Sequence, residues 1–253
     1  KPALARLVAP ENADAAAMRR AAQSVFLVRD LVNTPAGDMG PAALEQAARN
    51  LAMEMGAQIE TIVGDELLGN NFPMIHAVGR AAKGAPRLID MRWGDAGAPK
   101  LTLVGKGVTF DSGGLNIKGG AGMALMKKDM GGSAHCLGLA RLIMEAGLKV
   151  RLRVLIPAVE NAISGDAFRP GDILQSRQGL SVEIGNTDAE GRLILADALT
   201  YGGEEEPDLM ISLATLTGAA RVALGPELAP FYCDDGDLVE ALEKAAEKTA
   251  DPV

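Results

Sequence analysis

Hydrophobic and polar positions recur with two periods along this chain. Over residues 12–31, Ala, Met, Val, Phe and Leu return at roughly helical spacing, with Arg19, Arg20 and Arg29 between them. This is the pattern of an amphipathic helix. Asn33-Thr34-Pro35 stops it, because the residue before a proline is pushed out of the helical region. Pro41 opens an alanine-rich run that predicts a second helix to Met55, with Gly56 as its stop. Residues 58–63 read as a strand, and further candidate strands fall at 74–78 and 87–92.

From Lys100 onward the pattern becomes regular. Short apolar strands at 101–104, 152–156, 182–184 and 209–213 alternate with helices at 133–146, 193–201 and 238–248. Such alternation predicts an α/β sheet covered on both faces. Ligands of open α/β sheets bind outside the carboxyl ends of the strands. The strand at 101–104 runs into KGVTFDSGGLNIK (106–118), that at 182–184 into Asp188 and Glu190, and that at 209–213 into TLTG (215–218). The polar groups are therefore expected to gather along one edge. The chain has no internal repeat and no long linker.

Composition sharpens the picture in a few places. With 253 residues, 48% of them hydrophobic, the chain suffices for one large core, or for one domain and part of another. Aromatics make up only 3%, and the apolar runs fall far short of the ~20 residues that span a bilayer, so no membrane span is expected. The net charge of -8 repels phosphate backbones, and no basic stripe offsets it, so nucleic acid is not an expected ligand. Cys136 and Cys233 lack metal or disulfide-framework spacing; they read as buried free thiols of a reducing compartment, with the cytoplasm as the expected location. The opening Lys1-Pro2 carries no basic and apolar leader, which leaves targeting open.

The candidate chemistry centres on NTDAEGR (186–192). Read as an extended segment, it projects Asp188 and Glu190 to one side, where two carboxylates repel unless a proton or a cation intervenes. An isolated Asp-x-Glu would be a solvated acidic loop. Here Asp111 in VTFDSGG and Asp129 in MKKDMGG add further acids, the latter just before a helix whose amino-terminal end favours negative charge, so that taken alone it reads as a helix cap. Lys106, Lys118 and Arg192 accompany the four acids. Oxygen-rich clusters of this kind suit one or two divalent metals. His76 and His135 have no partners at ligand spacing, and His135 reads as a packed helix residue, so a histidine-based zinc site is disfavoured.

VGKGVTFDSGGLNIK (104–118), MKKDMGG (126–132), NTDAEGRLILADAL (186–199) and ATLTGA (214–219) together resemble the signatures of the leucyl aminopeptidases, the dizinc M17 family of exopeptidases. PAVENAISGDAFRPGDIL (157–174) and RDLVNTPAGDM (29–39) fit the same pattern. The resemblance implies a three-layer α/β/α catalytic domain with a mixed, largely parallel central sheet. It implies one metal held by Lys106, Asp111, Asp129 and Glu190 and another by Asp111, Asp188 and Glu190, with zinc or manganese foremost and magnesium or cobalt as alternatives. Lys118 would steady the oxyanion, and Arg192 would hold a bicarbonate that shuttles protons. Met126, Thr215 and Gly218 match positions lining the pocket for the first side chain. The implied reaction releases amino-terminal, preferably leucine-like, residues from peptides, and the implied assembly is a homohexamer.

The chain departs from the family pattern at Lys128, where an aromatic is usual, and at Gly119, where a proline often follows the lysine. These departures bear on substrate preference. The resemblance further implies that residues 1–253 form the catalytic domain without the family's separate amino-terminal domain, and without the rest of its carboxyl-terminal part. Two other readings stand beside it. A silent oligomeric scaffold would have lost a ligand, Lys118 or Arg192, and none is lost. A two-metal phosphoesterase would place more Arg, Lys or backbone nests at the site, where TLTGAA offers an apolar lining.

Overall fold

The computed structural model describes Ala5 and residues 8–253, so the Lys1-Pro2 opening lies outside the described residues. It divides into Lys1–Thr215 and Leu216–Val253. In the first unit the elements run α1 (Ala15–Asn33), α2 (Pro41–Met55), β1 (Gln58–Val63), α3 (Glu66–Gly69), α4 (Pro73–Gly79), β2 (Arg87–Trp93), β3 (Lys100–Gly105), β4 (Gly107–Asp111) and α5 (Gly120–Met123). They continue with α6 (Gly131–Glu145), β5 (Arg151–Asn161), β6 (Ile173–Gln175), β7 (Ser181–Glu183), α7 (Glu190–Gly203) and β8 (Leu209–Leu213). Short 3₁₀ helices, Met126–Met130 and Thr187–Ala189, lead into α6 and α7. The second unit contains α8 (Ala219–Leu224) and α9 (Gly236–Thr249), the latter capped by Asp235, whose side chain accepts from the N–H groups of Asp237 and Leu238.

The helix signals act as expected. Asp14 accepts from the first free N–H groups of α1, and Thr34, extended at ψ 129° ahead of Pro35, ends it. The sheet order is β1-β2-β5-β3-β8, with β4 also paired to β5. β2 runs antiparallel to β1 and β5, whereas β3, β4, β5 and β8 are mutually parallel. β3 and β4 follow one another along the same side of the long strand β5.

Alternation along the strands supplies two cores. Ile89, Met91, Leu103, Val154 and Ile156 pack with Leu31, Leu44, Leu51 and Leu137 of α1, α2 and α6. Leu88, Val104, Leu155 and Val159 pack with Ile75 and Val78 of α4 and Ile194 and Ala198 of α7. Each such buried aliphatic side chain contributes about 1.5–3 kcal/mol. The result is the three-layer α/β/α fold with a mixed central sheet.

Four local expectations are corrected. Residues 74–78 are helix, not strand, because Pro73 starts α4 at its first turn and a short run buried on all sides carries no period to distinguish the two. Residues 182–184 do not join the main sheet; β7 pairs antiparallel with β6 in a separate hairpin. Residues 187–192 are not extended: the Asn186 side chain accepts from the Asp188 N–H at 2.8 Å and turns the chain into a 3₁₀ helix, and Glu190 opens α7. His135 lies on α6 but exposed, with Nδ1 2.7 Å from the Gly131 carbonyl. Cys136 is buried as expected, and Cys233 is half-buried. No helix among the described residues is long and apolar enough to cross a membrane.

Candidate metal centre and active site

The site forms where parallel strands end. Lys106 sits between β3 and β4, its N–H donating to the Leu213 carbonyl (2.9 Å) and its carbonyl accepting from the Ser133 N–H (3.0 Å). These bonds lock its backbone between β8 and the start of α6, and its side chain is only 3% exposed. The ammonium lies 2.7 Å from Asp129 Oδ2 and 2.9 Å from Glu190 Oε1. Asp129 comes from the 3₁₀ helix ahead of α6, and its Oδ1 accepts from Thr215 Oγ1 at 2.8 Å and meets Lys128 Nζ at 3.3 Å. Its side chain forms no cap on α6.

Asp111 ends β4, and Lys118 Nζ bridges Asp111 Oδ2 (2.9 Å) and Asp188 Oδ1 (2.5 Å). One oxygen from each of Asp111, Asp129 and Glu190 lies within 4.8 Å of the others, and all three residues are buried. Asp188, half-buried, stands beside this group and is tied to it by Lys118.

Charge is out of balance here. Four carboxylates face three ammonium groups, those of Lys106, Lys118 and the more exposed Lys128, which leaves one negative charge in surplus when all four acids are ionised. Burial, with the nearby charges of Asp111 and Asp129 and against that of Lys106, raises the Glu190 carboxyl to about 7. Burial works against the Lys106 ammonium, but the charges of Glu190 and Asp129 outweigh it and hold the proton more firmly than usual. Lys118 is likewise raised, burial being outweighed by Asp188 and Asp111. Glu190 Oε2 is buried without a hydrogen-bond partner. Asp129 Oδ2 and Asp188 Oδ1 touch lysines at ion-pair distance yet lack aligned hydrogen bonds. Buried carboxylate oxygens left in this state fit one or two divalent cations.

With that geometry established, similarity to known proteins becomes decisive. The model of the cytosol aminopeptidase family, catalytic domain, matches residues 26–253. The chain belongs to this family. A probable cytosol aminopeptidase of Roseiflexus castenholzii is 44% identical over 228 residues, covering 89% of this chain and 47% of that protein. Among solved structures, the cytosol aminopeptidase of Coxiella burnetii is 55% identical with a TM-score of 0.89, covering 93% of this chain and 52% of that one. The leucyl aminopeptidase of Trypanosoma brucei, solved in complex with bestatin, is 34% identical with a TM-score of 0.92, covering 97% and 49%. The chain spans about half the length of the relatives it matches.

Of the residues singled out from sequence in this cytosol aminopeptidase family member, Lys106, Asp111, Asp129, Asp188, Glu190 and Lys118 come together. Thr215 joins them through Asp129, and its carbonyl lies 3.3 Å from Lys106 Nζ. Met126 opens the 3₁₀ helix that carries Asp129 and is half-buried. Arg192 is exposed and makes no ion pair among the described residues; two positions beyond Glu190 on α7, it does not share that residue's face. Gly218 belongs to the second unit, where it precedes α8.

Residues not singled out also build the site. Gly191 gives Lys106 its path: a β-carbon there would stand 2.5 Å from Lys106 Cε. Asn161, at the end of β5, is 1% exposed and bonds to Asp111. The signal in the sequence was a lone amide closing a strand whose middle, residues 154–159, is apolar throughout.

Proposed function

We propose that this chain carries the metal-dependent centre of an aminopeptidase that releases amino-terminal residues, apolar ones foremost, from peptides. The observation that carries this reading is the buried convergence of Asp111, Asp129 and Glu190, with Glu190 Oε2 left without a partner, in a family member. Lys106, Asp111, Asp129 and Glu190 would hold one ion, and Asp111, Asp188 and Glu190 the other. Such ions, zinc or manganese foremost with magnesium or cobalt as alternatives, supply Lewis-acid polarisation of the scissile carbonyl and a water of lowered pKa.

The protein's own groups do the rest. Lys106 donates to an ion only as a neutral amine, so it must surrender the proton that Asp129 and Glu190 now favour. Lys118 places a fixed positive charge beside Asp111 and Asp188, where an oxyanion would gather negative charge. Arg192, exposed and without an ion pair among the described residues, would hold a bicarbonate that carries protons, as the family resemblance implies. Met126 and Thr215 would line the pocket for the first side chain, and Asp129 would receive the free amino group. Residues 1–253 would belong to the catalytic domain of a cytoplasmic, homohexameric enzyme.

The test is an assay of chelator-treated protein reloaded with zinc, manganese or cobalt, offered leucyl peptides with free or acetylated amino termini. Activity should vanish on chelation, return with metal at a rate set by the ion, and fall at least tenfold on acetylation. Turnover by demetallated protein, or equal cleavage of blocked peptides, would reject the proposal.

A further inference from the structure

Asp111 would serve both ions, so the orientation of its carboxylate matters more than that of any other side chain on β4. Three groups converge on it. Its Oδ1 accepts from Asn161 Nδ2 at 2.8 Å and from the Gly113 N–H at 2.9 Å, which leaves Oδ2 turned toward Lys118. The second Asn161 Nδ2 proton goes to the Thr187 carbonyl at 3.0 Å. One buried amide thus spans the two segments that carry Asp111 and the Asp188/Glu190 pair.

Those segments are stitched directly as well. Thr187 Oγ1 donates to the Gly113 carbonyl (2.7 Å) and accepts from the Asn116 N–H (2.9 Å), while the Thr187 N–H donates to Asn116 Oδ1 (2.8 Å). Gly114, at φ 62°, closes the turn where a β-carbon would meet Asn161 Oδ1 and Thr187 Oγ1, both at 3.0 Å. The turn, the amide and the hydroxyl fill the space behind the carboxylates and leave Asp111 one orientation.

We infer that Asn161 and Thr187 are positioning residues for ion binding: they set the separation between Asp111 and the Asp188/Glu190 pair without touching ion or substrate. This rests on the metal-centre reading above. Asn161→Ala removes one of the two donors that fix Asp111 Oδ1 and frees the carboxylate to turn, and Thr187→Val unstitches the 111–116 turn from the 186–190 segment while keeping the side chain's shape. Partners that orient metal ligands typically contribute about 10–100-fold in affinity. A merely structural role would lower the stability of the metal-free protein and leave affinity for ions unchanged.

The experiment titrates metal-free protein with Mn²⁺, following bound ion by electron paramagnetic resonance, alongside thermal unfolding without metal. Asn161→Ala and Thr187→Val should each bind Mn²⁺ at least tenfold more weakly than the unaltered chain. Thr187→Ser, which keeps the hydroxyl, should restore affinity to within about threefold. Should Asn161→Ala fail to fold, the Thr187 pair decides. Unaltered Mn²⁺ affinity in folded Asn161→Ala or in Thr187→Val, or equal losses in Thr187→Val and Thr187→Ser, overturns the inference. If the unaltered chain itself binds no Mn²⁺, the metal-centre reading fails first and takes this one with it.

Discussion

Lys106 reaches Asp129 and Glu190 only because residue 191 has no side chain, and this makes Gly191 a sharp probe of the site. Alanine in place of glycine within a helix ordinarily stabilises by about 1 kcal/mol. At this position the added carbon would stand 2.5 Å from Lys106 Cε and 2.8 Å from its ammonium nitrogen. Gly191→Ala should therefore destabilise the metal-free protein by about 1–3 kcal/mol, the usual cost of overpacking. Denaturant unfolding checks this, and a stabilised variant would show that the lysine has another route. The acids and lysines of the cluster were legible in the sequence because their motifs carry charge that demands a partner. Gly191 and Asn161 were not, because the room a glycine leaves and the two acceptors an amide bridges exist only once β5, α7 and the 3₁₀ turn at 187–189 are brought together. Arg192 marks the converse case: the motif placed it with the site, and the fold leaves it exposed.

Whole elements are held in register by charge as well as by apolar packing. Glu45 of α2 meets Arg87 of β2 at 2.6 Å and Arg49 of its own helix at 2.7 Å, and Arg49 also donates to Thr61 of β1. Burial alone would raise the Glu45 carboxyl, but hydrogen bonds from Arg87 and Arg49 hold it below its usual range. A carboxyl lowered in the folded state contributes stability above its unfolded pKa and loses that contribution as pH falls through the folded value. Glu45→Gln should thus be less stable than the unaltered chain by about 1–2 kcal/mol at pH 7. The gap should close as the pH drops below the ordinary glutamate value of 4.5. A gap that persists at pH 3 in urea titrations would assign the effect to packing instead. Elements with a clear period or cap, such as α1, α2 and β1, were legible from sequence. Residues 74–78 were not, since burial on every side erases the difference between helical and extended spacing, and residues 182–184 show that strand character does not name the partner strand.

On the scale of the molecule, the fold brings together residues scattered from 106 to 215 where β3 ends beside β8 and, further along β5, where β4 ends beside Asn161. Sheet order cannot be read from local pattern, but the expectation that the charged side chains gather beyond the carboxyl ends of the parallel strands holds for Lys106 and Asp111. There three buried acids, Asp111, Asp129 and Glu190, come within 4.8 Å of one another in a chain of this family. The central claim, a two-ion centre with Glu190 shared between the ions, is tested most directly by counting zinc on the native chain and on Glu190→Gln by elemental analysis after dialysis at pH 8. The unaltered chain should retain two ions and Glu190→Gln should retain neither. An unaltered chain that holds no zinc, or a Glu190→Gln chain that still holds two ions, would contradict the account.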